Sequence, residues 1–305
     1  MPEPELKLKG NGGDRRAGES AFAELVDFVD HHQGLTVLSG AGCSTGSGIP
    51  EYRDDAGNWK HRKPLQLAEF VSCKGTRQRY WAQGFAGWNR ISAAKPGAAH
   101  VALARLEKAK RIRCVITQNV DNLHRQAGSR RVIDLHGVMH RVRCLHCGAT
   151  LSRGDFQEQL AELNPEWAAR VHEFTPDGDA RLDVQDFDAY AVPDCEICGG
   201  ILKPDVVFFG EPVPRDRVEQ ASEAVRRSCA LLVVGSSLMV FSGFRFARMA
   251  WALGKPIGIV NRGTTRADHL AAHKVTADCG TILSRLADHF TKETSGNARR
   301  LDSGL

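Results

Sequence analysis

Short apolar runs recur along this chain, and the stretches between them repeat apolar residues three and four positions apart. From Ser20, a suitable N-cap, Phe22, Leu25, Val26 and Val29 fall at helical spacing until Gly34. The LTVLSG that follows (35–40) predicts a short buried strand. A helix over about 100–110 then precedes the strand RCVIT (113–117), and RVIDLHG (131–137) reads as a further strand. A helix over about 216–227 precedes ALLVVG (230–235), and one over about 243–253 precedes PIGIV (256–260). Strands apolar on both faces and alternating with helices predict a parallel sheet covered on both sides. Residues 138–200 break the alternation. The expected fold is α/β: a doubly wound parallel-sheet (Rossmann-like) domain built from residues 19–137 and 201–290, with a small module inserted at 138–200. Residues 1–18 read as a polar, Gly-rich arm and 291–305 as a tail.

In such sheets ligands sit beyond the carboxyl ends of the strands. Here those ends are Gly40-Ala41-Gly42, Gln118-Asn119-Val120-Asp121-Asn122, His136-Gly137, Gly235-Ser236-Ser237 and Asn261-Arg262-Gly263. Glycines let backbone amides approach a pyrophosphate, and hydroxyl and amide side chains bond phosphate and ribose, so a dinucleotide suits the edge. The stretch GAGCSTGSGIPEYRDDAGNW (40–59) is ambiguous alone. Its G-x-G-x-x-x-G is one residue off the dinucleotide spacing, and Lys60 stands about twenty residues on, where a ribose-binding acid is expected. Gly42 to Gly46 also match G-x-S-x-G, but a nucleophile elbow runs straight into a helix, and Gly48, Pro50 and Gly57 interrupt this one. Taken singly, Asn119 and Asp121 read as turn residues capping a helix, and His136 as a core histidine. Its place at a strand end, before Gly137 and facing the crevice, makes His136 a candidate general base.

Four of the nine cysteines form two C-x-x-C pairs, Cys144 with Cys147 and Cys195 with Cys198. Gly148, and Gly199 with Gly200, follow them, where the chain must turn so that amides face the sulfurs. Paired knuckles of this kind suit one structural Zn(II) held by four thiolates, with redox or merely buried cysteines as the other reading. The formal charge of +5 comes from interspersed residues, 41 basic and 36 acidic, which demands no nucleic-acid partner. No apolar run approaches the roughly 18 residues of a spanning helix, and Glu3, Glu5, Asp14 and Glu19 fit neither a signal nor a transit peptide. A cytoplasmic protein without a membrane segment is the expectation.

In order along the chain stand Gly40-Ala41-Gly42-x-Ser44-x-x-Ser47-Gly48-Ile49-Pro50-x-Tyr52-Arg53, Thr117-Gln118-Asn119-Val120-Asp121, Leu135-His136-Gly137, the four cysteines, Lys203-Pro204-x-Val206-Val207-Phe208-Phe209-Gly210-Glu211 and Gly235-Ser236-Ser237-Leu238. This set resembles the sirtuin signatures over about residues 24–287, and TQNVDNLHRQAGSRR with QRYWAQGFAGW is most similar to the class II branch. The resemblance implies an NAD-dependent protein-lysine deacylase that consumes NAD, releases nicotinamide and O-acyl-ADP-ribose, and takes acyl-lysine proteins as partners. An NAD-dependent ADP-ribosyltransferase on the same scaffold is the alternative. It further implies that Gly40, Ala41, Gly42, Ser44, Ile49, Pro50, Tyr52 and Arg53 wrap NAD, and that Gln118, Asn119, Val120, Asp121 and His136 meet its nicotinamide and ribose. Gly235, Ser236, Ser237, Asn261, Arg262, Gly263 and Cys279 would hold the adenosine half. His136, Asn119 and Asp121 carry the catalytic expectation, and Val207, Phe209 and Gly210 the acyl-lysine tunnel. Tyr52 departs from the phenylalanine of many members. Members that prefer acidic acyl groups carry Tyr-x-x-Arg, where this chain has Tyr80-Trp81-Ala82-Gln83.

Overall fold

The computed structural model describes residues 12–60, 65–169, 171–174, 180–182 and 187–301. In chain order the first half comprises α1 (Gly12–His31), β1 (Leu35–Ser39), α2 (Leu67–Ser72), α3 (Lys74–Ala93), α4 (Ala98–Lys108), β2 (Ile112–Thr117), α5 (Leu123–Gln126) and β3 (Val132–Asp134). The middle comprises β4 (Gly137–Cys144), β5 (Thr150–Ser152), α6 (Arg153–Leu163), β6 (Val171–Phe174), β7 (Ala180–Leu182) and β8 (Leu202–Val206). The last part comprises α7 (Arg215–Arg227), β9 (Leu231–Val234), α8 (Phe241–Ala252), β10 (Ile257–Val260), β11 (His273–Val275) and α9 (Cys279–Leu301).

The main sheet has six strands in the order β11-β10-β9-β1-β2-β3, all paired in parallel. Strand order reverses between β1 and β9. The register brings the strand ends level, because Ser39 lies opposite both Thr117 and Val234, and Val234 opposite Val260. Thus Gly40, Gln118, Gly235 and Asn261 emerge along one edge. On one face α1, α4 and α9 bury Leu25, Phe28, Leu103, Leu106 and Leu283 against Val37 and Val115. On the other, α7 and α8 bury Val225, Phe246 and Ala250 against Leu38, Val233 and Ile259. The apolar runs lack alternation because both faces are covered.

A third core differs from the expected boundaries. Phe70, Trp81 and Phe85 of α2 and α3 pack with Val142, Cys144, Phe156, Leu160, Cys195 and Leu202 of the cysteine module. The module's own sheet, β5-β4-β8, is antiparallel and takes in β8, beyond residue 200. Its neck is narrow: Gly137 lies opposite Val206, and Val207 N–H donates to His136 O at 2.8 Å. The ends also differ. The first helix runs from Gly12, so Ser20 is no N-cap, and its hydroxyl instead donates to Glu24. Of the expected arm, 12–18 is helical and 1–11 lies outside the described residues; of the expected tail, α9 occupies 291–301.

Gly137 has φ +84°, and a Cβ there would sit 2.0 Å from Asp205 O and 2.8 Å from an Arg217 nitrogen. Both the left-handed backbone and the contact with Asp205 O exclude a side chain. Gly137→Ala is therefore expected to cost about 3 kcal/mol or more. A urea unfolding midpoint unchanged from the parent would contradict this.

Candidate active site

The edge is assembled where the strand order reverses. Gly40 N–H donates to Val234 O at 3.0 Å and Gly42 N–H to Gly235 O at 2.8 Å, so the loops after β1 and β9 meet backbone on backbone. A Cβ on Gly40 would lie 2.6 Å from Ser236 Cβ, and one on Gly42 would lie 2.9 Å from Gly235 Cα. Only glycine lets the two loops close to this distance, at the strand-end edge where sheets of this kind bind a pyrophosphate. The loop continues as two short 3-10 turns, Ala41–Cys43 and Thr45–Ser47, in place of a long helix.

Ser44 is 1% exposed. Its Oγ donates to Asp121 Oδ2 at 2.6 Å and accepts from Asn119 Nδ2 at 2.9 Å. Asn119 Nδ2 also donates to Gly40 O at 3.0 Å, and Asp121 Oδ1 accepts Leu123 N–H at 2.9 Å, which adds the turn-capping role to the site role. His100 Nε2 lies 3.4 Å from Ser44 Oγ while Nδ1 accepts Gly97 N–H, so the ring proton is on Nε2 and points at the serine. Such a histidine cannot take a proton from Ser44, and the hydrolase reading of G-x-S-x-G fails. Deeper still, His124 Nε2 meets Ser39 Oγ at 2.8 Å, with its ring 4.8 Å from that of His100. Burial, aided by His100, holds His124 down at about 3, and burial lowers His100 despite Asp121. Both rings are therefore neutral spacers. Neither was singled out in the sequence: His100 stands at the start of an expected helix, and His124 lies within TQNVDNLHRQAGSRR.

Gln118 Nε2 donates to Ser236 Oγ at 2.8 Å, tying the ends of β2 and β9. His136 Nδ1–H donates to Gln118 O at 2.9 Å, which leaves Nε2 as the lone-pair nitrogen, accepting from Ser242 Oγ at 2.8 Å. Burial holds this imidazole below its usual range, Gln118 O works in the opposite sense, and the positive charge of Arg217 lowers it further. It is neutral at pH 7.

The remaining expected residues divide. Cys279 Sγ–H donates to Gly42 O at 3.0 Å, and Asn261 Nδ2 to Gly263 O at 3.0 Å, on the same edge. Pro50 and Arg262 line a cavity of about 440 Å³ beside the loop, and Ile49 is half-buried. Arg53 instead folds back onto its own turn, bonding Gly57 O at 2.6 Å and stacking 3.8 Å above Trp59, and Tyr52 is 46% exposed. Val207 is tied to His136 through the backbone, and the Phe209 ring lies 5.6 Å from Trp59. Phe209 O already accepts Leu67 N–H, and Gly210 packs under Gln66, so one backbone edge of this segment is taken by the chain itself. Lys203, absent from the expected set, is buried; it donates to Glu211 at 3.0 Å and lies 4.6 Å from the Phe208 ring centre.

Away from this edge, the Sγ atoms of Cys144, Cys147, Cys195 and Cys198 all lie within 4.8 Å of one another. Cys144 and Cys198 are 3.5 Å apart and Cys147 and Cys195 3.7 Å, too far for disulfides. Sulfurs about 3.8 Å apart are what tetrahedral Zn–S bonds of about 2.3 Å require. Gly148 and Gly199, at φ +75° and +67°, close the knuckles with N–H bonds to Cys144 O and Cys195 O. The four-thiolate set fits a closed structural zinc. Among the described residues no helix is long and apolar enough to cross a membrane.

Residues 40–242 match the model of the Sir2 family. The chain is 54% identical over 266 residues to NAD-dependent protein deacetylase 2 of Bradyrhizobium diazoefficiens, covering 87% of this chain and 97% of that protein. It is 46% identical over 273 residues to NAD-dependent protein deacylase Sirt4 of Drosophila melanogaster, covering 88% of each. A solved structure described as Sir2-p53 peptide-NAD+ superposes with a TM-score of 0.70 at 29% identity, covering 89% of this chain and 98% of that one. By the family match over residues 40–242 and by these relatives, the chain belongs to the Sir2 family.

Proposed function

We propose that this protein is an NAD-dependent protein-lysine deacylase with acyl-lysine proteins as substrates, releasing nicotinamide and O-acyl-ADP-ribose. The observation that carries the reading is His136, a neutral imidazole whose Nε2 lone pair lies at the strand-end crevice while its backbone holds Val207. NAD, when bound, supplies the ribose that receives the acyl group and nicotinamide as leaving group. The chain supplies the rest. The loop amides around Gly40 and Gly42, with Gly235, Ser236 and Ser237, hold the phosphates and adenosine side, joined by Asn261, Arg262, Gly263 and Cys279. Ser44, Asn119 and Asp121, locked to one another, keep a polar pocket beside Gln118 and Val120 with no side chain left to reorganise as charge develops. His136 Nε2 accepts a proton from a ribose hydroxyl in place of the Ser242 contact. Val207, Phe209 and Gly210 flank the acyl-lysine, and the four cysteines hold one structural zinc. A cytoplasmic setting belongs to the same reading, supported by a thiolate site that needs reducing conditions.

Mass spectrometry of acetyl-lysine peptide incubated with NAD tests this. Free lysine peptide with O-acetyl-ADP-ribose is the expected result. ADP-ribose left covalently on added protein, with the acetyl group untouched, would overturn it in favour of transferase activity.

The acyl chain is expected to be neutral. Tyr80 packs between Phe70 and Phe208, and Gln83 follows it where acid-preferring members carry arginine. Of the nearby cations, Arg77 donates to Phe70 O and Val71 O, Arg153, 2% exposed, donates to Gly84 O and Gln157 while stacking on Trp88, and Arg79 is exposed. A lost bidentate carboxylate contact is worth about tenfold or more. Acetyl and longer aliphatic lysines should therefore exceed succinyl- and glutaryl-lysine in kcat/KM in the same peptide. A clear succinyl preference would show that a guanidinium does reach the channel.

A further inference from the structure

Beneath His136 lies a buried group of charges that the reaction does not touch. Asp205, on β8, is 7% exposed and is held from two sides. Arg217 of α7 donates to its Oδ1 at 3.1 Å, and Arg141 of β4 donates Nε–H to its Oδ2 at 2.7 Å. Arg141 is half exposed, whereas the Arg217 side chain is only 15% exposed. The other end of Arg217 lies against the backbone of Gly137, where a Cβ would approach its Nη1 to 2.8 Å. One guanidinium thus spans from α7 to the peptide immediately after His136, and its carboxylate partner sits one residue before the Val206–Val207 pair that bonds back to His136 and Gly137.

We propose that Arg217 is a positioning residue for His136: pinned by Asp205, it braces the His136–Gly137 backbone and holds a fixed positive charge beside the imidazole. The proposal rests on His136 being the general base. The polar groups bonded to the ring are neutral, Gln118 O and Ser242 Oγ, while Arg141 pairs with Asp205 and Lys203 with Glu211. A cation beside an imidazole disfavours its protonated form. The neutral base is then present at lower pH than burial alone secures, and an acid limb of kcat/KM lies correspondingly lower.

Because Arg217 and Asp205 carry opposite charges, their removal must act in opposite directions. In R217Q the imidazole loses its cationic neighbour, so its titration midpoint rises. In D205N, Arg217 acts unopposed, so the midpoint falls. R217K keeps the charge and stays near the parent. A bracing role alone would change both variants in the same sense, through stability. The experiment is an NMR titration of the histidine ring protons in parent, R217Q, R217K and D205N, the His136 resonance identified by its loss in His136→Ala, with kcat/KM measured over the same pH range. A rise in R217Q and a fall in D205N supports the proposal. An unmoved midpoint in R217Q, or a rise in D205N, overturns it, and D205N decides alone if R217Q does not fold. If the midpoints shift as stated but the acid limb of kcat/KM does not follow, the coupling stands and the general-base reading of His136 fails.

Discussion

His136→Ala is expected to lower kcat/KM on an acetyl-lysine peptide by about 10²- to 10⁴-fold, the usual contribution of a positioned general base. The fold should survive. His136 makes two hydrogen bonds, to Gln118 O and from Ser242, and losing such bonds at a half-buried ring costs about 1 kcal/mol each. The backbone bond from Val207 to His136 O is untouched by the substitution, so the neck of the inserted module stays closed. The comparison is the O-acyl-ADP-ribose formation rate against the melting curve of the same preparation. A near-parental rate in a folded variant would remove His136 from the chemistry.

Loss of a thiolate is expected to act in the reverse order, on stability first. The parent should carry about one zinc per chain. In Cys144→Ser or Cys198→Ser the site opens, and the binding free energy that helped fold the module is lost with the metal. Cys144 and Cys195 belong to the same core as Phe70, Trp81 and Phe85, so the damage reaches α2 and α3, well outside the knuckles. We expect elemental analysis to show the zinc gone and the melting temperature to fall by about 5 °C or more, the effect of about 2 kcal/mol or more in a domain of this size. Metal-free parent protein that is folded and active would refute a structural zinc.

The parallel sheet was legible because its strands announce themselves as apolar runs, and their level ends follow from pairing Ser39 with Thr117 and Val234. The helices α3 and α9 were not. The twenty residues of α3 mix Trp81, Phe85 and Trp88 with Arg77, Arg79 and three glycines, a pattern shaped by packing on the cysteine module more than by helical periodicity. The candidate site was legible residue by residue only where spacing and family resemblance coincided, as at Ser44, Asn119, Asp121 and His136. His100 and His124 were hidden because their positions are set by partners far along the chain: Ser44 is 56 residues from His100, and Ser39 is 85 from His124. Arg53 shows the converse, a motif residue whose nearest partner is its own turn.

The neck at Gly137 and Val206 has a bearing on how this chain tolerates change. Because the two ends of the inserted segment are already bonded to each other, the segment between them is topologically a loop closed at its base. Lengthening such a loop adds entropy cost only logarithmically, about 0.6 kcal/mol per doubling. The separation between His136 and Val207 is held at that base by the 2.8 Å hydrogen bond between them and by the pairing of Gly137 with Val206, whatever length of chain lies beyond. Changes in length that leave the core shared with α2 and α3 intact can thereby be absorbed beyond the neck while the His136–Val207 spacing stays constant.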